Sequence, residues 1–484
     1  MSLSLLSHPL WRSSDLGFAM PPSPHAVSVA LPTWKDVIGY EEKSPKVMSK
    51  LQNGYPRFVI HNVIAALAKQ LAGDKPCLPF PSEKIAKQCA IFIKQQTDES
   101  STIVTAGDIF GVVTMQAGAK ALKDFWQHTG CIVSTRHVLA ASTKTPANDA
   151  SKETLRQELA TLYGCGEQDV FLFPTGMAAT YAALRTILKR CPNSPTIQIG
   201  FPYVDTIKLQ QKFGSSAILL DKLDHATDDL AAIIAADHPA GCFCEIPGNP
   251  MLGSADLSQI GPLLRAQGVP LVVDDVVATP INIDLTPYAD LITTSLTKYA
   301  SGSGDVMGGA LICVPASPLY VELKRLIQDD FEDLLWCEDA DILAQRIPSF
   351  PVRMKRHNTN GEYIAEQLRV HPAIERVWYP KWEYQSAYES VRRREGGWGS
   401  LITFITKNAE HTSAAVYDQL EVCKGPSLGT DFTLACPFAL LAHYTELDWA
   451  ESCGIPRQLI RISVGLEEPE ELWPRIKRSL DAVL

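Results

Sequence analysis

The sequence predicts an α/β fold: a mostly parallel sheet covered by helices on both faces, with a smaller α+β C-terminal domain. Three observations carry this. Between 151 and 355, short runs of Val, Ile, Leu and Phe alternate with helical segments, the mark of strands joined by helical crossovers. After about 355 the strands become fewer and the helices longer. The chain has 484 residues, 46% hydrophobic and 20% charged, which excludes a disordered, collagen-like or disulfide-miniprotein chain and leaves room for about three domains of roughly 150 residues.

The elements follow in chain order. Residues 1–148 are uneven: the Pro-rich and polar stretches AMPPSPHAVSVALP and CLPFPSEK separate short apolar segments, so part of this region is expected to be mobile. TKTPANDAS at 143–151 reads as a loop. SKETLRQELATLYG then places Leu155, Leu159 and Leu162 on one helical face, with Gly164 as the stop. DVFLF, TIQIG, AILL, GCFCEI, PLVVDD, DLITTS and GGALICV read as strands. The segments MAATYAALRTILKR, VDTIKLQQKF, DDLAAIIAA, ADLSQIGPLLRAQ and LYVELKRLIQ read as the helices among them. From 356 to 484, EYIAEQLRVH, HTSAAVYDQL and EPEELWPRIKRSLDAVL are helical, and SLITFIT and QLIRISVG are strands.

Charge narrows the partners. The balance of 44 basic against 54 acidic residues, 44 − 54 = −10, is spread along the chain, which argues against general affinity for nucleic acid or anionic membranes. No run of 18 apolar residues occurs, and the opening segment lacks a basic n-region, so a soluble, cytoplasmic protein is expected. The 12 cysteines are scattered from Cys77 to Cys453 with no CxxC spacing, which reads as core packing with no metal site.

In a parallel sheet, ligands bind beyond the carboxyl ends of the strands. Three such ends carry chemistry. DVFLF runs through Pro174-Thr175-Gly176-Met177 into a helix, where free N–H groups and the helix dipole favour a phosphate. PLVVDD ends in Asp274 and Asp275, carboxylates that lose solvation at a buried strand end and need a cation or hydrogen bonds. DLITTSLTK places Lys298 after Ser295 and Thr297, with glycines following rather than preceding it, which excludes a P-loop. A lysine amine must be activated, or held as an imine, to act near neutral pH. Each feature alone has an ordinary structural explanation. Together they supply what pyridoxal phosphate requires: a phosphate anchor, an anion opposite the pyridine nitrogen, and an amine for a Schiff base.

The sequence resembles the Cys/Met-metabolism group of pyridoxal-phosphate enzymes, in its fungal-type cystathionine gamma-synthase branch. HAVSVALPTWKDVIGYEE with GYPRFVIH is similar to that branch's N-terminal extension. FPTGMAAT, EIPGNP, VVDDVVATP, SLTKYASGSGDVMGG, KGPSLGTDFTL with LAHYTELDWA, and LIRISVGLE follow in the family's order. The resemblance implies a fold-type I transferase with an extension and intersubunit arm at 1–148, a cofactor-binding α/β domain at 149–355 and a C-terminal domain at 356–484. It also implies a homotetramer built from dimers with shared active sites, acting on small amino-acid substrates.

Residue by residue, the resemblance implies that Lys298 carries the cofactor and later moves protons, and that Asp274 pairs with the pyridine nitrogen. Tyr203, in the PYVDT stretch matching the family's YGGT, would stack on the ring and assist proton transfer. Gly176, Met177, Ser295 and Thr297 would hold the phosphate, and Asn249 the phenolic oxygen. Arg461 would grip the substrate carboxylate, with Ser427 nearby. Where relatives have a Tyr-x-Arg pair from the neighbouring subunit, Ser134-Thr135-Arg136 stands here, so Arg136 would reach a phosphate across a dimer interface without the tyrosine hydroxyl. Asp275 stands where relatives commonly have Asn.

The implied reaction is γ-replacement on O-acetyl- or O-succinyl-L-homoserine, with L-cysteine as nucleophile giving cystathionine. Lyases, sulfhydrylases and enzymes adding carbon or nitrogen nucleophiles share the same cofactor residues. A non-catalytic binding protein is a further alternative. Gly425-Pro426-Ser427-Leu428-Gly429 also satisfies G-x-S-x-G, but a serine-hydrolase elbow needs a helix after the serine, which TDFTLACPF does not suggest.

Overall fold

The computed structural model describes residues 4–143 and 149–484. The N-terminal stretch is folded rather than loose. β1 (Ala19–Met20) and β2 (Ser28–Val29) pair antiparallel, and β3 (Cys77–Phe80), β4 (Thr102–Ala106) and β5 (Ile109–Val113) form an antiparallel sheet in the order β3-β5-β4. Helix Trp34–Glu41 starts at a capping box, in which the Thr33 hydroxyl accepts the Asp36 N–H and the Asp36 carboxylate accepts the Thr33 N–H. A buried lysine tethers this stretch: Lys424 Nζ donates to the carbonyls of Pro32 (2.8 Å), Tyr417 (2.7 Å) and Asp418 (2.9 Å). Most of the loop expected at 143–151 lies outside the described residues, while Ala150 and Ser151 already open the helix Ala150–Tyr163.

The central sheet has seven strands, all anticipated by the apolar runs: β6 (Val170–Phe173), β7 (Thr196–Ile199), β8 (Ala217–Leu220), β9 (Gly241–Glu245), β10 (Leu271–Asp274), β11 (Leu291–Ser295) and β12 (Gly309–Cys313). Their order is β6-β12-β11-β10-β9-β7-β8. Only β12 runs antiparallel, because no helix separates it from β11 and the chain returns through a glycine-rich turn without a crossover. Alternation along each strand feeds two cores. Cys242, Cys244, Leu271 and Val273 face one layer, while Phe243 and Val272 face the layer that holds Phe125 and Trp126 of the N-terminal helix Ala119–Thr129. Each such buried side chain contributes about 1.5–3 kcal/mol. The described cysteines are all free, and eight of the twelve are buried.

The C-terminal sheet comprises β13 (Ile374–Trp378), β14 (Leu401–Thr406), β15 (Cys423–Lys424), β16 (Leu434–Cys436) and β17 (Ile460–Ser463), in the order β13-β14-β17-β16-β15. Helices Phe350–Arg369, Ala409–Gln419 and Pro469–Asp481 cover it and bury Ile364, Val416 and Ile476. The first helix begins well before the segment the periodicity indicates. Its middle holds Gly361, a poor helix former retained because a Cβ there would lie 2.5 Å from the Gly399 carbonyl oxygen. Among the described residues no helix is long and apolar enough to cross a membrane.

Candidate active site

Five parallel strands deliver their carboxyl ends to one cavity. After β6, Thr175 caps the helix Gly176–Arg190 by accepting the Ala178 N–H (3.1 Å). Glycine is required at 176: a Cβ would meet the Ser295 Cβ at 2.7 Å. That close approach puts the first N–H groups of the helix, which have no intrahelical acceptor, beside Ser295 and Thr297 on the cavity wall. The Thr297 hydroxyl is oriented by the Gly308 N–H at 3.1 Å.

Asp274, at the end of β10, lines the same cavity. Its Oδ1 accepts the Val276 N–H at 2.9 Å, and among the described residues no cation pairs with it. Burial pushes its carboxyl up to about 6, the response of an anion lacking its counterion. Asp275 points to the opposite face of the strand, where the Tyr163 hydroxyl donates to it at 2.8 Å. The second carboxylate is therefore a structural partner of the helix Ala150–Tyr163, outside the cavity.

Lys298 is buried, and its Nζ donates to Ser427 Oγ at 2.7 Å and to Tyr55 Oη at 3.0 Å. Burial lowers its pKa, against the opposing pull of Tyr55. Arg461, on β17, donates to Asn249 Oδ1 (3.1 Å) and to the Ser427 carbonyl (2.8 Å), and its guanidinium lies 4.9 Å from the centre of the Phe438 ring. Ser427 adopts a positive φ of 95°, which lets its carbonyl and hydroxyl serve Arg461 and Lys298 at once. β16, not a helix, is the next element after Ser427, so the G-x-S-x-G string is not a hydrolase elbow.

Tyr203 lines the cavity and donates its backbone N–H to Glu245 at 2.6 Å, while its hydroxyl accepts from Arg57 at 2.6 Å. Arg57 is the larger surprise. Tyr55-Pro56-Arg57 is a Tyr-x-Arg pair supplied by this chain to its own cavity. Arg57 donates to the Gln127 carbonyl (2.7 Å) and pairs with Asp205, which also accepts from His128 Nδ1 at 2.9 Å. Burial would raise the Asp205 carboxyl, but Arg57 and then His128 outweigh it and hold it well below the usual carboxylate range. The Tyr55 phenol, which burial alone would raise, is brought down to about 8 by Lys298 and Arg57 together.

Within its own chain Arg136 does not line this cavity. Its guanidinium donates to Asp339 (2.8 Å) and the Asp305 carbonyl (2.9 Å), because Asp339 is itself buried and needs a cation. Glu245 was also illegible as a site residue. It pairs in register with Asp274 across β9 and β10, and burial, then the Asp274 charge, push its carboxyl up to about 8.

Pyridoxal phosphate fits this donor set: a buried amine, an unpaired carboxylate, a helix N-terminus flanked by two hydroxyls, and a guanidinium at Arg57. The comparisons agree. Residues 143–481 match the family model described as Cys/Met metabolism PLP-dependent enzyme, and residues 59–134 match the fungal trans-sulfuration enzyme N-terminal domain. A cystathionine gamma-synthase of Neurospora crassa is 32% identical, over 96% of this chain and 98% of its own. A cystathionine gamma-synthase-like protein of Aspergillus thermomutatus is 32% identical, over 97% and 95%. The crystal structure of metB from Corynebacterium glutamicum superposes with a TM-score of 0.61 at 26% identity, covering 68% of this chain and 84% of that one. With that sheet, that lysine and those matches in hand, the chain belongs to the Cys/Met-metabolism family of pyridoxal-phosphate-dependent enzymes.

Proposed function

We propose that the protein catalyses γ-replacement on an O-activated L-homoserine, acetyl or succinyl, with L-cysteine as the nucleophile and cystathionine as the product. The observation that carries this reading is the placement of Lys298 and Arg461 around Ser427: a reactive amine and a carboxylate clamp share one small residue as their common anchor. Bound pyridoxal phosphate supplies the aldehyde that takes up the substrate amine and the electron sink for the bonds broken at Cα and Cβ.

The chain's own residues do the rest. Gly176 and Met177 would donate N–H groups to the phosphate, helped by Ser295 and Thr297. Asp274 would keep the pyridine nitrogen protonated, and Tyr203 would stand against the ring. Asn249 already spends its oxygen on Arg461, leaving its amide N–H groups for the phenolic oxygen. Arg461 fixes the substrate carboxylate and so sets which Cα bond is broken. Lys298 takes the Cα proton and returns protons along the chain, with Tyr55 hydrogen-bonded to it through each transfer. Walls of Phe438, Leu441 and Met307 exclude water. We assign the cofactor to residues 149–355 and expect a homotetramer of dimers, as light scattering would show.

Mass spectra of products from O-acetyl- and O-succinyl-L-homoserine, each with a panel of nucleophiles, test the reading. Cystathionine from L-cysteine is expected. Product formed only from another carbon, nitrogen or sulfur nucleophile would replace it with a specialised γ-substitution, the reading that the synthase-like relatives keep in view.

A further inference from the structure

The cavity lining holds two polar groups that nothing in the mechanism uses. Tyr40 and Glu41 end the helix Trp34–Glu41, and both line the cavity that contains Lys298 and Arg461. Tyr40 is 2% exposed, and its hydroxyl has no side-chain partner and at most a poorly aligned hydrogen bond from the backbone of Tyr55. Polar groups so buried are rarely left unpaired, and each instance calls for an explanation.

Glu41, half-buried beside it, is the second group. Among the described residues no hydrogen bond or ion pair holds its carboxylate, and burial, opposed by the charges of Lys43 and Lys123, pushes it up to about 7. Three acidic residues line the cavity: Glu41, Glu245 and Asp274. Glu245 is occupied by the Tyr203 N–H, and Asp274 faces the cofactor nitrogen's place. Glu41 alone is without a role. It also stands at a helix C-terminus with no basic residue in the last turn, where the helix dipole adds partial negative charge.

We infer that Glu41 and the Tyr40 hydroxyl form the subsite for the ammonium group of the incoming amino-acid nucleophile. An ammonium carries three donors on a compact charge, which one carboxylate oxygen and one phenol oxygen accept together. The first substrate's carboxylate goes to Arg461, so the two amino acids are anchored by opposite ends, one by its carboxylate and the other by its ammonium. This inference rests on the γ-replacement reading and deepens it: the enzyme selects a nucleophile by its amino group as well as its thiol.

The test compares L-cysteine with 3-mercaptopropionate, which keeps the thiol and carboxylate and lacks the amine, in the holoenzyme with O-acetyl-L-homoserine. The wild type favours cysteine, and Glu41→Gln lowers the ratio of the two kcat/KM values tenfold or more through the KM for cysteine. Glu41→Asp recovers part of the ratio, and Tyr40→Phe lowers it about threefold, which guards against a poorly folded Glu41 variant. A wild type that uses both thiols equally, or a Glu41→Gln ratio equal to the wild type's, overturns the subsite while γ-replacement stands. A wild type that releases no product from either activated homoserine with any nucleophile overturns both.

Discussion

Asp205 is the residue whose removal most sharply tests how the cavity is built. Its carboxylate is fully buried between Arg57 and His128, themselves 5% and 4% exposed, and Arg57 in turn holds the Tyr203 hydroxyl. Removing one partner of such a pair leaves a buried charge uncompensated, at a cost of about 3–5 kcal/mol. Asp205→Asn keeps an acceptor oxygen for one of the two donors, so the low end applies, about 3 kcal/mol. Arg57→Met should cost a similar amount, and the double variant little more than either. The coupling in a double-mutant cycle is then about 2–3 kcal/mol, against near-additivity for residues that do not interact. Urea unfolding of the four holoproteins at one cofactor concentration measures it. The same variants should lose visible circular dichroism, because Tyr203 would no longer be fixed beside the ring. Additivity within about 0.5 kcal/mol would refute the claim that Asp205 positions Arg57.

Three further outcomes follow from particular groups. Lys298 donates to Tyr55, whose phenol titrates near 8; above that pH the phenolate holds Lys298 protonated and the rate should fall. Tyr55→Phe should cost about 100-fold in kcat and erase that alkaline limb from the pH–rate profile. His357 is buried with its Nδ1 on the Val464 carbonyl, and burial lowers it from 6.5 to about 4. Between those values the unfolded chain binds a proton that the folded one does not, so stability falls as pH drops through the window, by about 3 kcal/mol in all. Denaturant melts from pH 7 to 4 should show a shallower slope for His357→Phe. Lys424→Met would leave three backbone carbonyls unsatisfied, costing about 3 kcal/mol or more, and limited proteolysis near Pro32 should quicken.

Much of this was legible in the sequence because local pattern carried it. The seven strands of the central sheet lie where the apolar runs fall, since a buried strand must be apolar on both faces. Lys298, Asp274, Gly176 and Ser295 follow those strands directly, and a parallel sheet gathers strand ends at one edge. Tyr55 and Arg57 follow no strand. They lie in a short stretch of the extension with no periodicity, and only a contact across more than 240 residues brings Tyr55 to Lys298. The same holds for Glu41, at the end of a helix too short to show its buried face. Asp205 carried one visible signal, a carboxylate where the matching YGGT motif has glycine, and its meaning depended on knowing where Arg57 goes. Arg136, expected to act across a subunit interface, is held within its own chain by Asp339, a partner that only packing reveals.

The most direct measurement on the site is borohydride reduction of the holoprotein followed by mass mapping of its peptides. The account predicts a single pyridoxyl label on the peptide containing Lys298, and none in Lys298→Ala. A label on another lysine, or an unlabelled protein that still turns over O-activated homoserine, would contradict it.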